Sequence, residues 1–303
     1  MFSPRILPVF SALLLLSLDC ATTVEPVRID DPVVEMAPEP CRPYEKKASD
    51  RVVAGFYPAW EHETLPIDEI PFERFTRIVY AFAYPEADGS LDVRDMDQVS
   101  RLVDRAHAAG VEVYVSLATK HDADHFPGVS SDPVLRRRFV QQILGFLVSN
   151  CMDGVDVDWE RWDLKSGQAT IRKQQRALLA LLRDLDRDIR PRGYGVSIDV
   201  YPSHGYGRYY PDAIPDLVDL VQIMAYDFSG TWSRPKPHST YAHAVGDGTG
   251  RGTTGLAYWS GYRNWPAEKL VLGLPLYGRN FNDGGTSLAY RLILADTPAV
   301  ALA

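Results

Sequence analysis

The sequence predicts an α/β protein built as a (β/α)8 barrel, or TIM barrel, and three observations support this fold class. From residue 51 onward, short apolar runs rich in β-branched residues alternate with stretches of helical period. This region is about 250 residues long, which is a usual size for a single barrel. No G-x-G-x-x-G sequence follows the first run, so an open nucleotide-binding sheet is disfavoured.

Seven runs have the character of buried strands. Most of them are nearly continuous in apolar residues, as expected where helices cover both faces of a parallel sheet. Parallel neighbours need crossover connections, which the helical segments between the runs supply. The predicted strands are 52–60, 77–84, 111–118, 152–160, 194–201, 218–228 and 270–277.

Three of the intervening segments carry clear helix signals. In 96–109 the apolar residues recur on one face, and Gly110 is a typical C-terminal stop. Asp132 followed by Pro133 is typical of a capped helix start. A third apolar stripe runs through 171–189.

The eighth strand of the barrel is not identifiable in the sequence. After Arg279 the chain continues for a short distance only, and 288–295 has the pattern of a helix start. We therefore predict a barrel that is incomplete at its C-terminal end, with seven strands.

The N-terminal part of the sequence predicts an export signal followed by a linker. Residues 1–20 place Arg5 before an apolar stretch that fits an export signal and is too short for a membrane span of about 20 residues. Residues 21–50 are rich in proline and acidic residues and predict a solvated linker before a barrel domain at 51–303. The protein is therefore expected to be secreted or associated with the cell envelope. A lipid anchor on Cys20 is disfavoured because Asp19 is not a small residue.

Composition excludes several classes of partner. The net charge is −8 and no basic run stands out, so nucleic acid is not an expected partner. Cys41 falls in the linker and Cys151 is expected to be a buried free thiol. Cys and His show no metal-ligand spacing, and His238, like the other loop histidines, is expected to be solvated. We expect a monomer without metal or cofactor.

The fourth predicted strand contains the strongest functional signal. Side chains alternate along a strand, so Asp156, Asp158 and Glu160 share one face while Val155 and Val157 face the other way. Adjacent carboxylates repel, so at least one should hold a proton near neutral pH. Glu160 stands nearest the carboxyl end of the strand, where barrel enzymes act, and suits a general acid. The alternatives are a calcium or magnesium site and a solvated edge strand.

These residues resemble a known family. Asp153-x-x-Asp156-x-Asp158-x-Glu160 resembles the signature of family 18 glycoside hydrolases, the chitinase family. The residues Met224-Ala225-Tyr226-Asp227 and the segment 273–279 also resemble motifs of its sixth and seventh strands. The similarity covers about residues 51 to 295.

The resemblance implies substrate-assisted, retaining hydrolysis of β-1,4 linkages next to N-acetylglucosamine, in chitin or chitooligosaccharides. Glu160 would be the general acid and base, Asp158 would orient the acetamido N–H of the substrate, and Asp156 would hold the proton that Asp158 gives up. Tyr226 would donate to the acetamido oxygen. The expected substrate contacts are Tyr57, Trp60, Met224, Asp227, Trp232, Tyr277 and Arg279, and Asp153 has a supporting structural role.

Two departures from the family pattern keep other functions open. Ala118 and Thr119 stand where the family usually has two glycines, and the eighth strand, which carries the tryptophan under the reacting sugar, is not identified. Ala118 and Thr119 remove no catalytic group, but the missing strand makes a non-catalytic, chitinase-like glycan-binding protein or an inactive fragment an alternative. N-glycan cores and peptidoglycan are alternative substrates.

Overall fold

The structure is a computed structural model that describes residues 41–120, 123–246 and 252–296. The predicted export signal 1–20 with Cys20, and linker residues 21–40, lie outside the described residues. The strands of the described part are β1 (Ala54–Pro58), β2 (Arg77–Pro85), β3 (Leu91–Asp92), β4 (Glu112–Leu117), β5 (Gly154–Val157), β6 (Gly195–Val200), β7 (Leu220–Met224), β8 (Leu270–Gly273), β9 (Tyr277–Asn280) and β10 (Thr286–Ala289).

Seven of these strands form one curled parallel sheet in the order β1-β2-β4-β5-β6-β7-β8. β3 adds a short antiparallel partner to β2. The predicted α/β class is confirmed, and the incomplete barrel agrees with it. Within the described ranges, β1 and β8 each pair along one edge only, so the sheet is not closed.

Helices cover the outer face of the sheet. The apolar stripes predicted for the segments before β4, before β5 and after β5 are buried in the core. Asp132 caps its helix as expected, because its carboxylate accepts hydrogen bonds from the backbone N–H of Val134 and Leu135. The helices are α1 (Val99–Ala108), α2 (Phe126–Ser131), α3 (Pro133–Ser149), α4 (Gln168–Asp188), α5 (His204–Gly207), α6 (Ile214–Leu217), α7 (Tyr241–Val245) and α8 (Tyr290–Asp296). No described helix is long and apolar enough to cross a membrane.

The predicted strand 270–277 divides into two elements. β8 ends at Gly273, and β9 begins at Tyr277 and pairs antiparallel with β10 in a separate two-stranded sheet. Pro275 lies between them and has no N–H to donate to a strand ladder, which explains the break. α8 follows β10, so the described C-terminal segment adds a hairpin and a helix to the parallel sheet.

A tyrosine closes the amino-terminal end of the sheet. A Cβ atom on Gly195 would lie 1.8 Å from the Tyr114 hydroxyl, and one on Gly154 would lie 2.6 Å from the ring. Arg77 also packs on this ring, with its Cζ atom 3.7 Å from the centroid. The two glycines therefore let Tyr114 fill the floor of the barrel.

Asp153 joins three segments near this floor. Its carboxylate accepts hydrogen bonds from the Tyr44 hydroxyl at 2.6 Å and the Val113 N–H at 2.8 Å, and lies 2.9 Å from Nε2 of His107. Burial alone would raise the pKa of Asp153, but the hydrogen bonds from His107, Tyr44 and Val113 outweigh burial and lower it. Asp153 is therefore an anchor between the sheet, α1 and the segment before β1.

The expectation of a free thiol at Cys151 was wrong. Cys151 forms a disulfide with Cys41 across a sequence separation of 110 residues. Linker residues 41–50 are consequently not a free spacer, and the backbone N–H of Lys47 also donates to the Gly110 carbonyl at 2.8 Å. Both cysteines stood in segments without a pairing signal, and spacing alone cannot show which residues meet in space.

Breaking this disulfide should strongly destabilise the protein. A crosslink that closes a loop of about 100 residues stabilises the folded state by about 4 to 5 kcal/mol in the chain-entropy model. Cys41→Ser combined with Cys151→Ser should therefore lower the free energy of unfolding by about 2 to 5 kcal/mol in chemical denaturation. A reductant should destabilise the wild type and leave the double variant unaffected; equal stability of the two proteins would contradict this role.

Candidate active site

Three carboxyl groups follow one another along β5 and the residues after it. Asp156 lies within β5, and the backbone N–H of Asp158 donates to the Leu117 carbonyl at 2.8 Å, which continues the strand pairing beyond β5. Asp156 is fully buried, Asp158 is 7% exposed and Glu160 is partly exposed. Burial therefore decreases along the three acids toward the carboxyl end of the sheet.

Asp156 is surrounded by neutral donors. Its Oδ1 accepts hydrogen bonds from the Ser197 hydroxyl at 2.6 Å and from Nε2 of Gln222 at 2.8 Å. Its Oδ2 accepts from the Ser116 hydroxyl at 2.8 Å. Hydrogen bonds donated to a carboxylate favour its ionised form. Asp156 therefore has the surroundings of a buried anion, with donors from β4, β6 and β7.

The surroundings of Asp158 perturb its protonation. Burial, followed by the charges of Glu160 and Asp156 and a hydrogen bond with Glu160, raises its pKa well above the ordinary value. Its Oδ1 atom is buried and has no hydrogen-bond partner among the residues that the structure describes. Asp158 thus combines a shared proton with an acceptor oxygen that is free to receive a ligand.

Glu160 receives a second partner that sequence reasoning missed. The Tyr201 hydroxyl hydrogen-bonds to Glu160, and burial, followed by the Glu160 charge, raises the pKa of Tyr201. The Tyr201 ring stacks on Tyr206 with centroids 4.7 Å apart. Glu160 is therefore held between Asp158 and Tyr201, at the partly exposed end of the site.

Asp199 is a fourth acid that sequence reasoning missed. It lies on β6, opposite Gln222 of β7 in register, and is 4% exposed. Burial, followed by the charges of Asp156 and Asp158, raises its pKa well above the ordinary value. The alternation rule applied to the predicted strand 194–201 places Ser197, Asp199 and Tyr201 on one face and could have found it.

Tyr226 and Met224 come from the end of β7. Met224 follows Gln222 by two residues, so it shares the inward face, and it is buried. Burial, followed by the charges of Asp199 and Asp158, raises the pKa of Tyr226 well above the ordinary value. Tyr226 therefore lies beside the acidic group as a neutral phenol.

A second polar cluster borders the site. Arg279 binds Asp227 through two hydrogen bonds, at 3.0 Å from Nε and 2.5 Å from Nη2. The guanidinium carbon of Arg279 lies 5.2 Å from the Trp232 ring centroid and 5.4 Å from that of Tyr277. Four of the predicted contact residues are therefore brought together.

His238 belongs to this cluster, so its predicted solvated position was wrong. Its side chain is 13% exposed, and Nδ1 lies 3.4 Å from Asp227. Its Nε2 is 3.1 Å from the Tyr277 carbonyl, and its ring packs on Tyr277. The polar sequence around His238 resembles an exposed loop, but that loop folds back onto β9.

The two aromatic residues predicted from the first strand behave differently. Tyr57 is 3% exposed, its hydroxyl donates to the Leu65 carbonyl at 2.8 Å, and its ring stacks on Tyr80. Its assignment to the glycan cleft was therefore wrong, because the alternation turns it toward the helices. Trp60 is 57% exposed and lies 6.0 Å from the Phe82 ring, so it is available to a ligand.

A parallel β/α sheet with a hydrogen-bonded acid pair at the carboxyl end of a central strand is an arrangement of barrel-type glycoside hydrolases. Comparison with known families gives the same class. The family model of the glycosyl hydrolases family 18 matches residues 52–296, and the chain belongs to this family.

Relatives and solved structures agree with this assignment. A probable chitinase 10 of Drosophila melanogaster is 28% identical over 71% of this chain and 10% of its own length. A chitinase-like effector of Moniliophthora perniciosa is 26% identical over 76% of this chain and 56% of its own length. The chain thus spans between a tenth and about half of these curated relatives. A chitinase from Bacteroides thetaiotaomicron superimposes with a TM-score of 0.71 and 26% identity, over 84% of this chain and 78% of that chain.

Proposed function

We propose that the protein hydrolyses β-1,4 linkages of N-acetylglucosamine polymers, chitin or chitooligosaccharides, by substrate-assisted retaining catalysis. The observation that carries this proposal is the Asp158–Glu160 pair, which shares a hydrogen bond while the buried Oδ1 of Asp158 is left without a partner among the described residues. A buried acceptor without a donor costs free energy unless a ligand supplies one. The acetamido N–H of the substrate is such a donor.

The proposed reaction begins with one proton shared by the pair. Glu160 delivers this proton to the glycosidic oxygen, and the acetamido carbonyl oxygen of the substrate attacks C1 as the bond to the leaving sugar breaks. Asp158, now a carboxylate, accepts the acetamido N–H and offsets the positive charge of the oxazolinium ion. Glu160 then takes a proton from water, which attacks C1 and reopens the ring with retained configuration.

The remaining residues would orient the sugar. Tyr226 is a neutral phenol in this environment and would donate to the acetamido oxygen. The exposed rings of Trp60 and Trp232 offer flat apolar faces on which sugar C–H groups stack. The Asp227–Arg279 pair supplies charged acceptors and donors for hydroxyl groups.

The proposal is tested by incubating the purified chain with chitotetraose and analysing products by mass spectrometry. Parallel incubations with an N-glycan core and with peptidoglycan identify the substrate class.

The chitinase-like effector relative favours a second candidate, a glycan-binding protein without turnover. Binding of chitotetraose without products would support that candidate and reject the proposed hydrolysis. The presence of Glu160 favours the enzyme.

Removing Arg279 should weaken catalysis without abolishing it. Arg279→Ala would leave Asp227 without its two charged hydrogen bonds, each worth about 1.5 to 3 kcal/mol. We expect kcat/KM for chitotetraose to fall by about 10- to 100-fold. Arg138→Ala, which removes an exposed arginine on α3, is the matched control and should change little. Equal kinetics of the two variants would exclude the Asp227–Arg279 pair from substrate binding.

We also propose that the protein is exported through residues 1–20. The Cys41–Cys151 disulfide supports this, since disulfides persist in oxidising compartments. N-terminal sequencing of the protein recovered outside the cytoplasm should find residues 1–20 removed. An intact N-terminus with a reduced cysteine pair would argue against export.

A further inference from the structure

Asp199 contacts the deepest acid of the site. It lies on the inward face of β6, two residues after Ser197, which pairs with Asp156 in register. The side chains of Asp199 and Asp156 are hydrogen-bonded to each other. Two carboxyl groups can share a hydrogen bond only if one of them carries a proton.

The hydrogen-bond donors around Asp156 indicate which of the two carboxyl groups, Asp156 or Asp199, carries the shared proton. A carboxylate has about four lone-pair sites. Three are occupied by the Ser116 and Ser197 hydroxyls and the Gln222 amide, all of which donate to Asp156. The fourth then accepts from Asp199. This arrangement favours placing the shared proton on Asp199, with Asp156 as the acceptor.

We propose that Asp199 is a positioning residue that keeps the buried proton beside Asp156 and thereby leaves Asp158 free to pair with Glu160. This inference rests on the proposed hydrolysis for its kinetic consequence, and it moves to Asp199 the proton-holding role that the family resemblance implied for Asp156. With Asp199 ionised, Asp156 would lose the proton that Asp199 donates to it, and its open lone pair would compete with Glu160 for the proton of Asp158. That transfer would break the Asp158–Glu160 pair from which the leaving group is protonated.

The groups around Asp199 are acids and a phenol. Asp156, Asp158 and Glu160 act on it from the strand β5 and its extension, and Tyr226 faces it from the end of β7. Like charges and burial both oppose ionisation of Asp199. Asp199 therefore loses its proton only well above the pH at which an ordinary aspartate ionises, and activity should decline as pH rises through that range.

Two substitutions separate this role from simple packing. Asp199→Asn places an amide N–H where the acid proton donates to Asp156, whereas Asp199→Ala leaves that lone pair empty. With chitotetraose as substrate, we expect Asp199→Ala to lose at least about tenfold in kcat, as for one lost hydrogen bond to a charged group. Asp199→Asn should recover most of this loss and extend activity to higher pH than the wild type, because the amide does not ionise. Equal kcat values and unshifted pH profiles of the two variants would overturn the proposal.

The pH dependence of stability tests the protonation of Asp199 independently of catalytic activity. An ordinary aspartate has a pKa of about 3.9 in the unfolded chain. Folded Asp199 keeps its proton above that pH, so the folded state binds more protons and the free energy of unfolding falls as pH rises. Asp199→Asn should flatten this decline in thermal melts between about pH 4 and 8. A parallel decline in both proteins would overturn the assignment, while absence of turnover with a flattened decline would reject only the hydrolysis.

A third measurement needs no variant of Asp199. In a pH titration, wild-type protein labelled with 13C at aspartate carboxyl groups should show two aspartates, Asp158 and Asp199, that stay protonated after ordinary aspartates, with a pKa of about 3.9, have ionised. Asp158→Asn should remove one of these signals and leave the other. No protonated aspartate in the Asp158→Asn protein would overturn the proposal.

Discussion

Glu160→Gln is expected to lower kcat on chitotetraose by about 10²- to 10⁴-fold, the range that general acid–base catalysis contributes. The amide has nearly the same shape as the acid, yet it cannot deliver a proton to the glycosidic oxygen or take one from water. Glu160 lies at the partly exposed end of the site, so its replacement should not disturb the core. KM should change by less than about threefold, since the lost interaction is made mainly in the transition state.

The matched control is Glu63→Gln, which makes the same chemical change at an exposed position before β2. It should retain wild-type turnover. Thermal melts of both variants establish that each is folded. Turnover by folded Glu160→Gln within a few-fold of the wild type would contradict the assignment of the general acid.

Asp158→Asn should lose activity and gain stability. The amide cannot provide the negative charge that offsets the oxazolinium ion, so kcat should fall by about 10²- to 10³-fold, as for other preorganised electrostatic groups. Burial and the charges of Glu160 and Asp156 raise the pKa of Asp158, so its ionisation opposes folding as pH rises above about 4. The variant should therefore melt at a higher temperature than the wild type at pH 7 to 8.

Asp104→Asn is the control for this pair of effects, because Asp104 is an exposed aspartate on α1. It should leave both turnover and melting temperature near the wild-type values. Loss of activity together with loss of stability in Asp158→Asn would indicate that Asp158 supports the fold and has no role in charge stabilisation.

The part of the site that lies on one strand was predictable from the sequence. Asp156, Asp158 and Glu160 are consecutive members of one alternation, so a single local rule places them on a common face. Asp199 obeys the same rule but is a lone acid between Ser197 and Tyr201 on its strand. Its contact with Asp156 can be identified only once the register between β5 and β6 is known.

Contacts between distant segments were not predictable in the same way. The Cys41–Cys151 disulfide joins residues separated by 110 positions, and each cysteine stands in a segment with a plausible alternative reading. Tyr57 was assigned to the glycan cleft as an aromatic residue of the first predicted strand, but in β1 it pairs in register with Tyr80 and is buried. In both cases the deciding contacts are tertiary.

The most direct test of substrate-assisted catalysis combines stereochemistry with a requirement for the acetamido group. Proton NMR of chitotetraose during early hydrolysis follows the anomer released first, and cellotetraose, which has a hydroxyl in place of each acetamido group, is tested in parallel. The mechanism predicts that the β-anomer forms first and that cellotetraose is not cleaved. Initial release of the α-anomer, or comparable cleavage of cellotetraose, would contradict it.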